Sequence, residues 1–105
     1  MFENIQPIAL SSRAAAEIRK IMQAKGVPAG YGLRVAAKGA GCGVTLTLGF
    51  DKKKETDLAY MLDDIPLYID KRHTLYVIGK EIDFHEDEET RGFFFKDVNN
   101  ATSSF

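Results

Sequence analysis

Lys38-Gly39-Ala40-Gly41-Cys42-Gly43-Val44 is the stretch on which the reading of this chain turns. Three glycines surround the single cysteine of the 105 residues. Glycine lets the backbone take a positive φ or approach another group closely, at a cost in chain entropy. A loop so poor in side chains has little with which to cover a thiol. Upstream, Leu33, Val35 and Ala37 alternate with Arg34 and Lys38, the period of a strand with one buried face. Downstream, Val44, Leu46, Leu48 and Phe50 alternate with Thr45, Thr47 and Gly49, a second strand. The stretch is therefore a tight Gly-rich turn that holds one sulfur between two strands. Taken locally, a lone cysteine in such a turn is most simply a small buried hydrophobe.

Before the first strand the period is helical. Ala14, Ile18, Ile21 and Met22 make one apolar face, with Arg13, Glu17, Arg19, Lys20 and Gln23 on the wet side. Ser11 or Ser12 can cap the start, Gly26 suits a left-handed end and Pro28 prevents resumption. The pattern predicts a helix over 12–26. After the second strand, Asp51-Lys52-Lys53-Lys54-Glu55 reads as a solvated charged turn rather than a nucleic-acid patch. A weak strand comes next over 56–62, and Asp63-Asp64 turns the chain into Ile65, Leu67 and Ile69. Pro66 cannot donate to a ladder, which predicts an edge strand or an outward-facing position 66. Asp70 can cap a short helix through Leu75 and Val77, stopped by Gly79. Residues 81–86 alternate again, with Ile82 and Phe84 on one face and Asp83 and His85 on the other. Gly92-Phe93-Phe94-Phe95 reads as an aromatic strand in the core or at a subunit interface, and 96–105 as a loose polar tail. The whole is an α+β domain, with mostly antiparallel sheets in a sandwich-like arrangement. Val35, Leu46, Leu48, Ile69, Ile82 and Phe84 are expected in one core, with Ile18 and Met22 covering part of it.

Composition narrows the function classes. The length suits one domain, residues 1–105. Fourteen basic and fifteen acidic residues leave a net charge of −1, which gives no electrostatic case for nucleic acid or an anionic membrane. No apolar run approaches the roughly 18 residues of a membrane span. Met1-Phe2-Glu3-Asn4 has neither the basic nor the apolar segment of a signal peptide. One cysteine rules out a disulfide within the chain and fits a reducing compartment, so a cytoplasmic location is expected. Asp83, His85 and Asp87 could offer three metal ligands along one strand face, but an exposed polar face is the simpler reading. His73, beside Lys71 and Arg72, reads as a surface histidine.

The order of these pieces resembles the HesB-like, or A-type, iron–sulfur cluster carrier family over nearly the whole chain. Ile8-Ala9-Leu10-Ser11-Ser12-Arg13-Ala14-Ala15-Ala16-Glu17-Ile18 is similar to the opening I-x-L-S/T-x-x-A-A-x-x-I of that family. Leu33-Arg34-Val35, then Gly39 to Gly43, then Leu48-Gly49-Phe50-Asp51 resembles its L-R-V … G-G-C-S-G … L-x-F-D core. Leu67-Tyr68-Ile69-Asp70 with Leu75-Tyr76-Val77-Ile78-Gly79, and Glu81-Ile82-Asp83-Phe84 with Gly92-Phe93-Phe94-Phe95, fit its middle and later segments.

The resemblance implies a HesB-like fold and a metallochaperone rather than an enzyme. It implies Cys42 as a ligand for iron or an iron–sulfur cluster, commonly shared between subunits. Gly39, Gly41 and Gly43 would shape the loop. The partners implied are iron–sulfur assembly or recipient proteins, and a homo-oligomer, a homodimer at its simplest. In that family the loop cysteine acts with a C-terminal Cys-Gly-Cys. Here Asn100-Ala101-Thr102 is similar to the family's approach to that motif, and Ser103-Ser104-Phe105 to the residues on its far side, but the pair between them is absent. Such clusters usually take four thiolates, so two copies of this chain leave two ligands to come from free thiols, a second dimer or harder groups such as Asp97. Two other readings stand beside the carrier. One is a cluster-free structural or interaction module. The other is a thiol redox sensor on Cys42, for which Lys38 is the one close cation in sequence.

Overall fold

The computed structural model of the chain describes residues 7–39 and 43–97. Its elements run in the order β1 (Ile8–Leu10), α1 (Ser12–Lys25), β2 (Tyr31–Lys38), β3 (Thr45–Lys52), β4 (Asp57–Leu62), β5 (Ile65–Asp70), a 3-10 turn (Lys71–His73), α2 (Thr74–Val77), β6 (Lys80–Glu86) and β7 (Arg91–Asp97). The strands form two sheets, β1-β6-β7 and β3-β2-β5-β4. Apolar faces of both sheets and of α1 meet in one core, with Ile8, Ile18, Leu33, Val35, Leu67, Ile69, Val77 and Ile82 almost fully buried. The domain is α+β, as the periodicities require.

Local chemistry sets the helix boundaries. The Ser11 hydroxyl accepts from the Ala14 N–H at 3.0 Å, satisfying one of the free donors at the start of α1. Gly26 takes φ 60°, and the N–H groups of Gly26 and Val27 return to the carbonyls of Gln23 and Met22. One member of the expected wet face departs from the pattern. Glu17 is buried, because Arg91 on β7 reaches over to it at 2.6 Å.

The sheets add two features that periodicity did not reveal. β1 is a strand, and it pairs in parallel with β6, Ile8 opposite Lys80. β5 is an inner strand rather than an edge, lying between β2 and β4. Pro66 is tolerated because pairing with β2 begins only at Leu33–Leu67, one residue later. Backbone and side chain come close where the strands cross this point: a Cβ on Gly32 would meet the Tyr68 ring at 2.7 Å and the Pro66 carbonyl at 2.9 Å.

Of the expected core, Val35, Ile69, Ile82 and Phe84 are buried, whereas Leu46 and Leu48 on β3 are only partly so. β3 is an edge strand and has one neighbour to pack beside it. In β7, Phe93 and Phe95 pack on the core and Phe94 faces out, 40% exposed. Lys96 and Asp97 belong to β7 rather than to a loose tail, and 98–105 lie outside the described residues. No helix among the described residues is long and apolar enough to cross a membrane.

The charged turn between β3 and β4 is fixed by one side chain. Arg34 grips the buried Asp57 with two guanidinium nitrogens, at 2.8 and 2.6 Å, and also donates to Asp51 and to the Lys52 carbonyl. Asp57 in turn accepts from the Lys54 N–H at 2.7 Å. The lysine run is the outside of a pinned turn.

Candidate functional site

β2 and β3 pair along their whole length, from Tyr31–Lys52 to Lys38–Thr45, and the Gly-rich stretch closes that hairpin. Gly39 adopts φ 110°, a conformation that side-chain-bearing residues rarely take. A Cβ there would also collide with the carbonyl oxygen of Gly43. The two ends of the stretch therefore touch backbone to backbone, and only three residues are left to span them. That requirement is met by glycine at 39 for both conformation and space. Gly43 has open space around it. Ala40, Gly41 and Cys42 lie outside the described residues, so the expected ligand and the middle loop glycine are placed only through their neighbours. Those neighbours are open: Lys38, Gly39, Gly43 and Val44 are all exposed.

One residue at the root of this loop differs from its sequence expectation. His73 is half-buried rather than a free surface side chain, and its Nδ1 accepts from the Ala37 N–H at 3.4 Å. Asp70 arranges this by capping the turn: it accepts from the Arg72 N–H at 2.8 Å and ties the Arg72 guanidinium. The Arg72 hydrogen bonds hold the Asp70 carboxyl well below the usual carboxylate range. The signal available in sequence was Asp70 as a cap three residues before His73. Nothing in the periodicity indicates that the turn folds back on β2. The next segment presents Leu75, Tyr76 and Ile78 to solvent, with Leu75 83% exposed.

The second candidate, Asp83 with His85 and Asp87, separates into two unrelated arrangements. Asp83 is not exposed; it is 2% accessible and already saturated. Ser11 Oγ donates to it at 2.6 Å, the Phe84 N–H at 2.8 Å, and Arg13 and Lys96 at 3.0 Å each. These donors, the Ser11 hydroxyl first, outweigh burial and hold its carboxyl far below the ordinary range. His85 instead pairs with Asp87 at 2.8 Å, both exposed, and Asp87 closes the turn to β7 by accepting from Glu89 and Thr90. Among the described residues no three His, Cys, Asp or Glu side chains gather as a metal site. Asp97, the harder ligand that the sequence offered, is paired with Lys80 at 2.6 Å.

The comparisons with known proteins agree with this geometry. Residues 6–104 match the family model described as iron-sulphur cluster biosynthesis. The iron-sulfur cluster insertion protein ErpA of Xanthomonas campestris pv. campestris is 33% identical over 100 residues, covering 93% of this chain and 77% of that protein. Among solved structures, Escherichia coli SufA, involved in biosynthesis of iron-sulfur clusters, superposes with TM-score 0.70 at 22% identity, over 90% of this chain and 91% of that one. IscA with a 2Fe-2S cluster superposes with TM-score 0.67 at 21% identity, over 88% and 83%. The two structures share the fold, and the family model, which spans the Gly39–Gly43 turn and nearly everything that supports it, assigns the lineage: this chain belongs to the iron–sulphur cluster biosynthesis family.

Proposed function

We propose that the chain is a carrier in iron–sulfur cluster assembly, with Cys42 as its one sulfur ligand and the cluster as its cargo. The observation that supports this is the closure of Gly39 on Gly43, in a stretch that carries few side chains and whose described residues Lys38, Gly39, Gly43 and Val44 are exposed. A cargo site needs such access, because the cluster must be handed on. The role is that of a metallochaperone, not an enzyme, acting in the cytoplasm with assembly and recipient proteins.

Ligand counting sets its behaviour. The chain holds one cysteine, and such clusters usually take four thiolates. A two-fold dimer that brings two Cys42 loops together supplies two sulfurs, and a small thiol supplies the rest. The outward Phe94 offers one apolar contribution to such a dimer. Sedimentation that finds only monomer at high micromolar concentration would remove the shared site.

Anaerobic reconstitution with iron and sulfide tests the carrier reading. Weak, oxygen-labile visible absorption is expected, rising when glutathione is added and vanishing in Cys42→Ser. Insertion of Cys-Gly-Cys between Thr102 and Ser103 should raise both yield and stability. A cluster in the serine variant, or a full complement without added thiol, would contradict it. The exposed Leu75, Tyr76 and Ile78 favour a second reading, a cluster-free interaction module. A protein that stays colourless with glutathione present would support that one. The redox-sensor reading would instead require a Cys42 thiol that titrates below its ordinary range, read by alkylation across pH.

A further inference from the structure

We propose that His73 is a positioning residue for the turn that Gly39 and Gly43 close, acting through the backbone of β2. β2 pairs with β5 in parallel only from Leu33–Leu67 to Val35–Ile69, whereas its pairing with β3 continues to Lys38–Thr45. β5 ends at Asp70, so among the described residues no strand lies on the β5 side of β2 past Val35. An unpaired backbone N–H in a half-buried position is costly. The chain resolves this with a side chain. Asp70 caps the turn Lys71–His73, and the turn carries the imidazole back beside β2, where Nδ1 takes the Ala37 N–H.

The consequence runs in one direction along β2. Ala37 is two residues before Gly39, whose left-handed conformation and contact with Gly43 define the loop. With the Ala37 N–H held by His73 on one side and β2 paired with β3 as far as Lys38–Thr45 on the other, the strand is fixed up to the point where the loop leaves it. Without the imidazole, the last turn of the hairpin hangs from β3 alone. An acceptor at Nδ1 also fixes the tautomer, because the proton of the neutral ring must then sit on Nε2. His73 is therefore a structural acceptor that holds β2 up to the residue where the turn leaves it.

The experiment compares three variants by two readouts that need no cluster. His73→Asn keeps an acceptor at the δ position, His73→Phe keeps a ring without one, and His73→Gln moves the acceptor further out. Amide exchange of Ala37, referenced to Val35, should quicken about tenfold in the Phe and Gln variants, and stay within about twofold of wild type in Asn, the scale of one backbone hydrogen bond. Alkylation of Cys42 by N-ethylmaleimide should change by about threefold or more in Phe and Gln and be restored in Asn, at equal thermal stability. Should the Phe variant fail to fold, the Asn–Gln pair carries the same test. Equal Ala37 exchange in wild type and Gln, or an Asn variant as fast as Gln, would overturn the hydrogen bond. Unchanged alkylation would overturn the link to the thiol. The proposal rests on the carrier reading only for the importance of Cys42, and failed reconstitution would leave both readouts standing.

Discussion

Asp83 is buried and gathers four donors, whereas Gly39 and Gly43 bring two backbone segments into contact with no side chain at all. The first arrangement joins the start of α1, β6 and β7 through one carboxylate. Every one of its partners is occupied, so nothing there can accept a ligand without dismantling the clamp. The second arrangement spends conformational freedom instead of side chains and leaves its neighbours open. A scaffold gains from saturated charge, because a buried carboxylate without partners is expensive. The carrier we propose would gain from the opposite, a chemically sparse turn on a stiff root. The difference explains why the strand with the more ligand-like sequence, Asp83-Phe84-His85, is the structural one.

Breaking the clamp should have the largest effect. Asp83→Ala leaves the Ser11 hydroxyl and the Phe84 N–H without their acceptor, and we expect a loss of about 2–4 kcal/mol by urea unfolding, toward the lower side of what breaking a buried pair costs because Arg13 and Lys96 can turn to water. A loss near zero would mean that Asp83 is dispensable to the joint between α1 and β6.

The same clamp predicts the acid limb. The carboxyls of Asp83 and Asp57 are both held below their unfolded value, Asp83 chiefly by Ser11 and Asp57 chiefly by Arg34. Their contribution is therefore full above an unfolded pKa of about 3.9 and is lost as the pH falls from there toward the folded values. Stability should be level from neutrality down to about pH 5 and fall steeply below about pH 4. Asp83→Asn should flatten that fall, and an unchanged slope would assign it to other carboxyls.

At the other region the effects on stability shrink while those on function grow. Leu48→Ala on the edge strand should cost about 1–2 kcal/mol, less than the range for a fully buried leucine because the site is already partly open. Gly39→Ala forces a Cβ into a left-handed backbone and against the Gly43 carbonyl, and about 1–3 kcal/mol of strain is expected. A crystal structure of that variant with the turn unchanged would refute the closure argument. Cys42→Ser should shift stability by less than about 0.5 kcal/mol, a surface-sized effect, while abolishing cluster uptake. A large stability loss would restore the plain view of this cysteine as a buried hydrophobe.

α1 was legible in advance because its determinants are local. A serine cap, a 3.6-residue apolar stripe and a glycine stop lie within the segment itself. The hairpin of β2 and β3 was legible for the same reason, since alternation and a Gly-rich turn are neighbours in sequence. The order of the short motifs along nearly the whole chain likewise pointed to the family that the comparisons then established. What escaped depends on partners far along the chain. β1 is three residues long and exists as a strand only because β6, about seventy residues later, lies beside it. Pro66 suggested an edge strand or an outward-facing position, and β5 proved to be an inner strand whose parallel register with β2 starts just past the proline. Glu17 and Asp83 look solvated in any local window and are buried by Arg91, Ser11 and Lys96 from elsewhere.

By itself, then, the sequence determined the elements whose hydrogen bonds close within a few residues, the single thiol and the glycines that flank it. Only the tertiary structure decided which carboxylates are structural and that His73 stands at the root of the loop. The physical reason is that burial and hydrogen-bond satisfaction are properties of pairs. Ala37 and His73 are 36 residues apart, and neither residue type carries a mark of the other until β5 ends and the chain turns back.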